Sequence, residues 1–512
     1  MTGDREATEV ILAIDQGTTG TTALVVNRRG KVVGRGYSEV ACVYPRPGWV
    51  EQDAADLWLR SLAAVSDSLE SAPPHLLVAI GLTNQRETTV LWDAATMKPV
   101  APAIVWQCRR TTSLCDDLRR RGLAREVMSR TGLVIDPYFS GTKIQWLLQS
   151  DPSIAERASR GELKFGTIDS WLLANLTGGA VHRTDYSNAS RTLLYNIYDK
   201  CWDSFLLDEL AIPESLLPEV ASSRSIHGST VAIELPNGNR LPAGLPIGGI
   251  AGDQQAALFG QACFTPGMAK CTYGTGAFLL LNNGTNPVRS SHGLLTTLAC
   301  GADGEAIYAL EGSIFVAGAA VQWLRDQLGI IQSAAETELL AAQTTDNAGV
   351  YLVPAFVGLG APYWDPGARG AILGLTRGVG RAHLARAALE AVAYQTRDVV
   401  DAMTADGGLP LRELRIDGGA AANNFLAQFQ SDILNIPVLR PMNLETTAMG
   451  SAYLAGLATG FWDSVDEVGQ LWEADRAFTP RMDQPTRAEL YRGWSRAVSR
   501  VRSEGEATPT PV

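Results

Sequence analysis

Two short polar turns, each set between apolar runs that read as strands, constrain this chain more than any other feature. Glu9 to Asp15 (EVILAID) is a branched apolar run ending in a carboxylate. Gln16 to Gly20 (QGTTG) breaks it, and Thr21 to Val26 (TTALVV) resumes strand character before a turn at Asn27 to Gly30 and a further strand. The same grammar returns in Gly267 to Tyr273 (GMAKCTY), the turn Gly274, Thr275, Gly276, and Ala277 to Leu281 (AFLLL). Thr18 and Thr275 lie 257 positions apart, about half of the 512 residues. Either one α/β unit was duplicated into two lobes with a boundary near 255–265, or two common turn residues coincide. Spacing leaves both open. Helical patterns such as His383 to Met403 alternate with the strands, which indicates α/β layers.

A chain of this length holds about two to four domains, each able to bury its own core. With 43 Lys+Arg against 54 Asp+Glu the net charge is −11, the wrong sign for binding through nucleic-acid phosphates. No run reaches the roughly 18 apolar residues of a membrane span, so membrane insertion is not expected. The opening MTGDREATEV lacks an apolar signal core, and the seven cysteines form no CxxC pair. They read as reduced thiols, which places the chain in the cytosol. The last residues, 503–512, read as a frayed tail.

The turn after Asp15 offers backbone N–H groups and the hydroxyls of Thr18 and Thr19 in a Gly-permitted bend at Gly20, a donor array suited to phosphate. Asp15 beside it suits Mg²⁺, which prefers carboxylate and retained water. The plain alternative is a solvated hairpin with a turn-forming Asp. A second such turn at Thr275 favours the phosphate reading, because two facing turns grip a phosphate chain from both sides. Gly418 and Gly419, at the end of a short strand, let the backbone approach a flat ring, with Asn423 nearby to hydrogen-bond it, or they simply form a turn. All five histidines lie outside the Gly-rich turns, so a carboxylate is the candidate base. Asp253 follows the apolar, Gly-rich strand of IGGIAGDQQ, where open α/β sheets bind ligands. It is equally placed to cap the helical run Gln254 to Phe259. Arg86 and Glu87, after the strand LVAIGL, suit adjacent hydroxyls of a polyol or form a surface ion pair. Trp106, Tyr138 and Phe278 are candidates for an apolar pocket wall or plain core.

In their order along the chain these segments resemble the glycerol kinases of the FGGY carbohydrate kinase family, from about residue 9 to 495. The resemblance is carried by DQGTT (15–19), YPRPGWVEQD (44–53), TNQRETT (83–89), PAIVWQCRR (102–110) and TGLVIDPYFSGTK (131–143). TDYSNASRT (184–192), AGDQQAALFGQ (251–261), TYGTG (272–276), GLGAPYWDP (358–366), GAILGLTRGVGRAHLARAALE (370–390) and DGGAAANNF (417–425) continue it. It implies an α/β fold of two ribonuclease H-like lobes of the actin, hexokinase and Hsp70 type, with an interlobe active-site cleft. The implied division is 1–258 for a lobe with the glycerol site and first phosphate loop, and 259–495 for a lobe with the second loop and the adenosine site.

The implied reaction is phosphorylation of glycerol by ATP with Mg²⁺ to give sn-glycerol 3-phosphate, the first step of glycerol catabolism, by a homodimer or homotetramer. By match of position, Arg86, Glu87, Tyr138, Asp253 and Gln254 contact glycerol, with Asp253 as general base. Trp106 and Phe278 flank its carbon chain. Thr18, Thr19, Gly20, Thr275, Gly318, Gln322, Gly419 and Asn423 touch nucleotide, and Asp15 serves the metal. Ketopentose kinases of the family carry a Met-His-Gly type element where this chain has Gln85, Arg86 and Glu87, which points to glycerol. One departure stands out: many glycerol kinases follow DQGTT with Ser-Ser-Arg, whereas this chain has Gly20, Thr21 and Thr22. The loop at Asn237 to Arg240 matches the family's sugar-bisphosphate site poorly. The rival readings are a kinase for another small polyol, such as erythritol, and a non-catalytic ATP switch of the Hsp70 or actin type.

Overall fold

The computed structural model describes residues 9–407 and 409–503; the expected tail lies outside them from residue 504. Both polar turns fold as hairpins. Strands β1 (Glu9–Gln16) and β2 (Gly20–Asn27) pair antiparallel around the first, with Asp15 opposite Thr22. Strand β3 (Val32–Glu39) lies antiparallel to β2, while β4 (Leu76–Asn84) runs parallel to β1. An edge strand β5 (Gly228–Ser229) flanks β6 (Pro246–Gly252), which is parallel to β4. The sheet order is β5-β6-β4-β1-β2-β3.

The second hairpin joins β7 (Ala269–Tyr273) to β8 (Ala277–Gly284). Strands β9 (Leu295–Cys300) and β10 (Ala306–Ile314) extend that side, β10 antiparallel to β8. On the other side β11 (Leu414–Asp417) and β12 (Val438–Pro441) run parallel to β7, with β13 (Ala474–Phe478) at the edge. The order is β9-β10-β8-β7-β11-β12-β13. Without their edge strands, β3-β2-β1-β4-β6 and β10-β8-β7-β11-β12 have the same order and directions. Topology therefore adds what spacing could not: the two halves are built on the same five-strand unit.

Parallel neighbours need crossovers, and helices supply them. In chain order they include α1 (Ala54–Ser71), α2 (Ser140–Ser150), α3 (Ile168–Leu176), α4 (Tyr186–Ala189) and α5 (Asp253–Gly260). Then follow α6 (Gly318–Asp326), α7 (Glu336–Ala342), α8 (Arg381–Gly407), α9 (Asn424–Leu434) and α10 (Thr446–Thr459). The first sheet is covered on one face by α1 and α3, through Leu57, Val65, Trp171 and Leu172 packed on Leu12 and Ile80. Its other face is covered by α10, which follows the second sheet's central strands in sequence: Ala448, Ala452 and Ala455 pack against Ile11, Ala13 and Ala79. That explains why β1 reads as continuously apolar, since a strand covered on both faces has no solvent side. Helix α10 also crosses α5, and a Cβ at Gly450 would overlap the Ala256 carbonyl. The two halves are stitched where these backbones touch.

Candidate active site

Each hairpin turns its carbonyls inward. In the first, Gly17 N–H closes on Gly20 O at 2.9 Å, and the Thr19 carbonyl accepts from Val40 N–H at 2.9 Å. The Thr18 carbonyl accepts from Gln52 Nε2 at 2.7 Å, and Trp106 Nε1 donates to Thr18 Oγ1 at 2.8 Å. In the second, Thr275 O accepts from Ala317 and Ala319 N–H at 2.9 and 3.0 Å, and Gly318 N–H reaches Gly274 O at 3.0 Å. The start of α6 is thus tied to the hairpin. Only glycine fits at 318, because a Cβ there would sit 2.6 Å from Gly274 O. Gln322, one turn along α6, is exposed.

The third turn is more committed than its sequence suggests. Gly418 takes a positive φ of 82° against Tyr273, and Gly419 is open to space. Asn423 caps α9, its Oδ1 accepting from Leu426 N–H at 3.0 Å, while its Nδ2 donates to Thr337 Oγ1 in α7 at 3.1 Å. Its side chain is a structural joint with one N–H left over.

Arg86 and Glu87 are buried, so the surface-pair alternative is excluded. Arg86 donates through both terminal nitrogens to Glu311, Nη1 to Oε2 at 2.6 Å and Nη2 to Oε1 at 2.9 Å. Gln255 Oε1 at 3.2 Å and Tyr138 OH at 3.4 Å accept from the same nitrogens, and Nε lies 3.2 Å from Asp253 Oδ1. Glu87 holds a left-handed φ of 60°, rare for a non-glycine residue. Its carboxylate accepts from Arg191 Nε at 2.7 Å, and Arg191 Nη2 returns to Glu311 at 3.0 Å. Trp106, Tyr138 and Phe278 do meet: Trp106 stands edge-on to Tyr138 at 5.5 Å and to Phe278 at 6.3 Å.

Four buried charges in this cluster escaped the sequence reading: Lys143, Arg191, Lys270 and Glu311. Burial alone would raise the Glu311 carboxyl, but Arg191 and Arg86 overrule it and hold it at about 2. Burial pulls Lys143 down to about 7, against the opposing charge of Glu87. Its Nζ donates to the Glu87 carbonyl at 3.1 Å and the Tyr138 carbonyl at 2.5 Å, pinning the unusual turn. The available signal was a charged residue inside an apolar run, as in AIYALEGSI, because a buried charge requires a partner.

Asp253 opens α5 without capping it; Gly252 occupies the cap position. Its Oδ1 is engaged by Gln254 N–H at 2.7 Å and by Arg86, while no protein donor takes Oδ2 among the described residues. Its side chain is 30% exposed, against 2% for Arg86. Asp15 lies close enough to be influenced by it: burial pushes the Asp15 carboxyl well above its usual range, and the charges of Asp253 and Glu445 push the same way. Among the described residues no trio of His, Cys, Asp or Glu forms a metal cage. The neighbouring carboxylates of Asp15 and Asp253 are instead a donor set that fits Mg²⁺, which keeps several waters and takes few protein ligands. Thr22 stands opposite both Asp15 and Tyr37 in the sheet.

Two family models cover most of the chain: the N-terminal domain of the FGGY family of carbohydrate kinases over residues 10–260, and its C-terminal domain over 269–459. The chain belongs to the FGGY family of carbohydrate kinases. The glycerol kinase of Symbiobacterium thermophilum is 57% identical over 494 residues, covering 96% of this chain and 98% of the relative. That of Petrotoga mobilis is 56% identical over 495 residues, with the same coverage. Among solved structures, Plasmodium falciparum glycerol kinase with ADP superposes with a TM-score of 0.90 at 37% identity, covering 97% of this chain and 99% of that one. A Lactobacillus acidophilus xylulose kinase shares the fold, with a TM-score of 0.84 at 21% identity over 96% of this chain and 97% of its own. In this FGGY kinase the two copies of the repeated unit are therefore the two domains of the family's α/β frame.

Proposed function

We propose that this enzyme transfers the γ-phosphoryl group of ATP to a terminal hydroxyl of glycerol, giving sn-glycerol 3-phosphate and ADP. The observation that carries the reading is Asp253, partly exposed, with one carboxylate oxygen locked by Arg86 and the helix backbone and the other without a protein donor among the described residues. The free oxygen takes the hydroxyl proton as the alkoxide oxygen forms its bond to the γ-phosphorus in line, and the bond to the β-phosphate oxygen breaks. Donors of the Thr18–Gly20 and Thr275 turns meet the charge on the transferring group. Arg86, Glu87, Tyr138 and Gln254 hold the polyol hydroxyls, and Trp106 and Phe278 its carbon chain. Gly318, Gln322, Gly419 and Asn423 border the nucleotide. Asp15 would hold Mg²⁺ bound with ATP, which supplies charge neutralisation at the phosphates.

The division at 258 into an acceptor lobe and a nucleotide lobe belongs to the same proposal, as does a homodimer or homotetramer, which sedimentation would size. We place the enzyme in a compartment that keeps thiols reduced, the cytosol, since its seven cysteines are unpaired and no described helix is long and apolar enough to cross a membrane. A coupled ADP-release assay with glycerol, dihydroxyacetone, erythritol and xylulose tests the activity. Glycerol is expected to show the highest kcat/KM. A higher value for another acceptor would reassign the substrate, and ATP turnover without phosphorylated product would favour an ATP-driven switch.

A further inference from the structure

Lys270 is the single charged side chain of β7, and it is fully buried. Three oxygens surround its Nζ: Gln254 Oε1, Thr272 Oγ1 at 2.9 Å and the Phe278 carbonyl at 3.4 Å. Burial pulls the Lys270 ammonium below its ordinary range, while Asp417 and Asp253 nearby favour its charge and Arg86 opposes it. An ammonium carries three donors and no acceptor, so three oxygens are its natural complement. The end of the Gln254 carboxamide that meets it must therefore be the oxygen. The Nε2 end is turned away, and no protein acceptor takes it among the described residues. Gln254 adjoins Asp253, and its N–H donates to the Asp253 oxygen opposite the free one at 2.7 Å.

We propose that Lys270 is a positioning residue that fixes the Gln254 carboxamide with its NH₂ group toward the acceptor alcohol, so that one glycerol hydroxyl is held as a hydrogen-bond acceptor. The proposal rests on the reading that Gln254 lines the acceptor pocket. It gives the second lobe control over a group of the first, through the strand that carries the Thr275 turn.

A double-mutant cycle of Lys270→Met and Gln254→Ala tests it, reading kcat/KM for glycerol and KM for ATP. In the wild-type background Lys270→Met is expected to lower kcat/KM for glycerol about tenfold, the size of one hydrogen bond, with KM for ATP unchanged. In the Gln254→Ala background it should cost nothing more. An equal loss in both backgrounds overturns the proposal, because a merely structural lysine does not need the glutamine. Gln254→Glu leaves Lys270 untouched and covers the case that the Met variant does not fold. It keeps an oxygen for the ammonium but has no donor for the alcohol, so it should lose as much as Gln254→Ala, and wild-type kcat/KM there would also overturn the proposal. If Gln254→Ala itself leaves glycerol kinetics unchanged, the acceptor reading of Gln254 fails, a result distinct from an equal Lys270→Met loss in both backgrounds.

Discussion

At the scale of single residues, the two oxygens of Asp253 have unequal surroundings. Oδ1 is held by Arg86 Nε and a helix N–H, so the carboxylate cannot rotate freely, and Oδ2 has no protein donor among the described residues. Asp253→Asn keeps the shape and removes the basicity. We expect kcat to fall at least ~10³-fold, near the upper range for general-base removal, while calorimetry still detects glycerol binding. Near-normal kcat would take Asp253 out of the mechanism. The residues around it show what a sequence exposes and what it hides. Asp253, Arg86 and Glu87 stood out in the sequence because they follow strands at polar turns, and the structure joins them in one cluster. Glu311 and Lys270 did not, because each lies in mid-strand, and only the packing of two distant segments reveals that Glu311 joins Arg86 to Arg191. Asn423 was legible as polar but not as a helix cap tied to Thr337.

The buried lysine of α2 gives the residue scale a pH signature. In the unfolded chain Lys143 holds its proton to about 10.4. Folded, facing Glu87, Cys108, Asp136 and Arg109, it releases it at about 7. Between those values the unfolded state binds more protons, so this group makes stability rise with pH, and below 7 its burial penalty is fully present. Lys143→Met should remove that rise. Urea midpoints of variant and wild type at pH 6.5, 7.5 and 8.5 measure it, and the difference between the two proteins isolates this group. Parallel curves would show that the ammonium is not desolvated as described.

At the scale of elements, both hairpins and the long helix α8 followed from apolar periodicity and turn residues. The crossing of α5 and α10 did not, since nothing local tells a helix late in the chain to cover the first sheet. Its requirement for small residues is read only from the contact. Gly450→Ala places a methyl into the Ala256 carbonyl, so the helices must separate. Overpacking of this kind costs about 1–3 kcal/mol, and a lower melting temperature in calorimetry checks it. Gly318→Ala acts on function instead. Pushing α6 off the Gly274 carbonyl should loosen the second hairpin and raise KM for ATP several-fold, with KM for glycerol much less affected. An unchanged KM for ATP would detach that hairpin from the nucleotide.

At the scale of the whole molecule, the proposed acceptor pocket draws its residues from both halves. Arg86 and Glu87 follow β4, and Gln254 lies in the first turn of α5. Phe278, Lys270 and Glu311 come from the second sheet and touch Trp106, Gln254 and Arg86. On the proposed reading, a ligand in that pocket is expected to favour the docked arrangement of lobes, with the Thr18 and Thr275 turns placed for phosphate. Glycerol and nucleotide should therefore bind with positive coupling, and the factor must be the same whichever ligand is added first. Asp253→Asn allows the measurement without turnover. Calorimetric titration of that variant with ATP and Mg²⁺, with and without saturating glycerol, should show glycerol tightening ATP by about 5-fold or more, the lower range of ordinary coupling energies. Scattering should show a smaller radius of gyration with both ligands than with either. Independent binding would mean that the lobes are docked before any ligand arrives, and that the Glu311 link to Arg86 is a fixed strut.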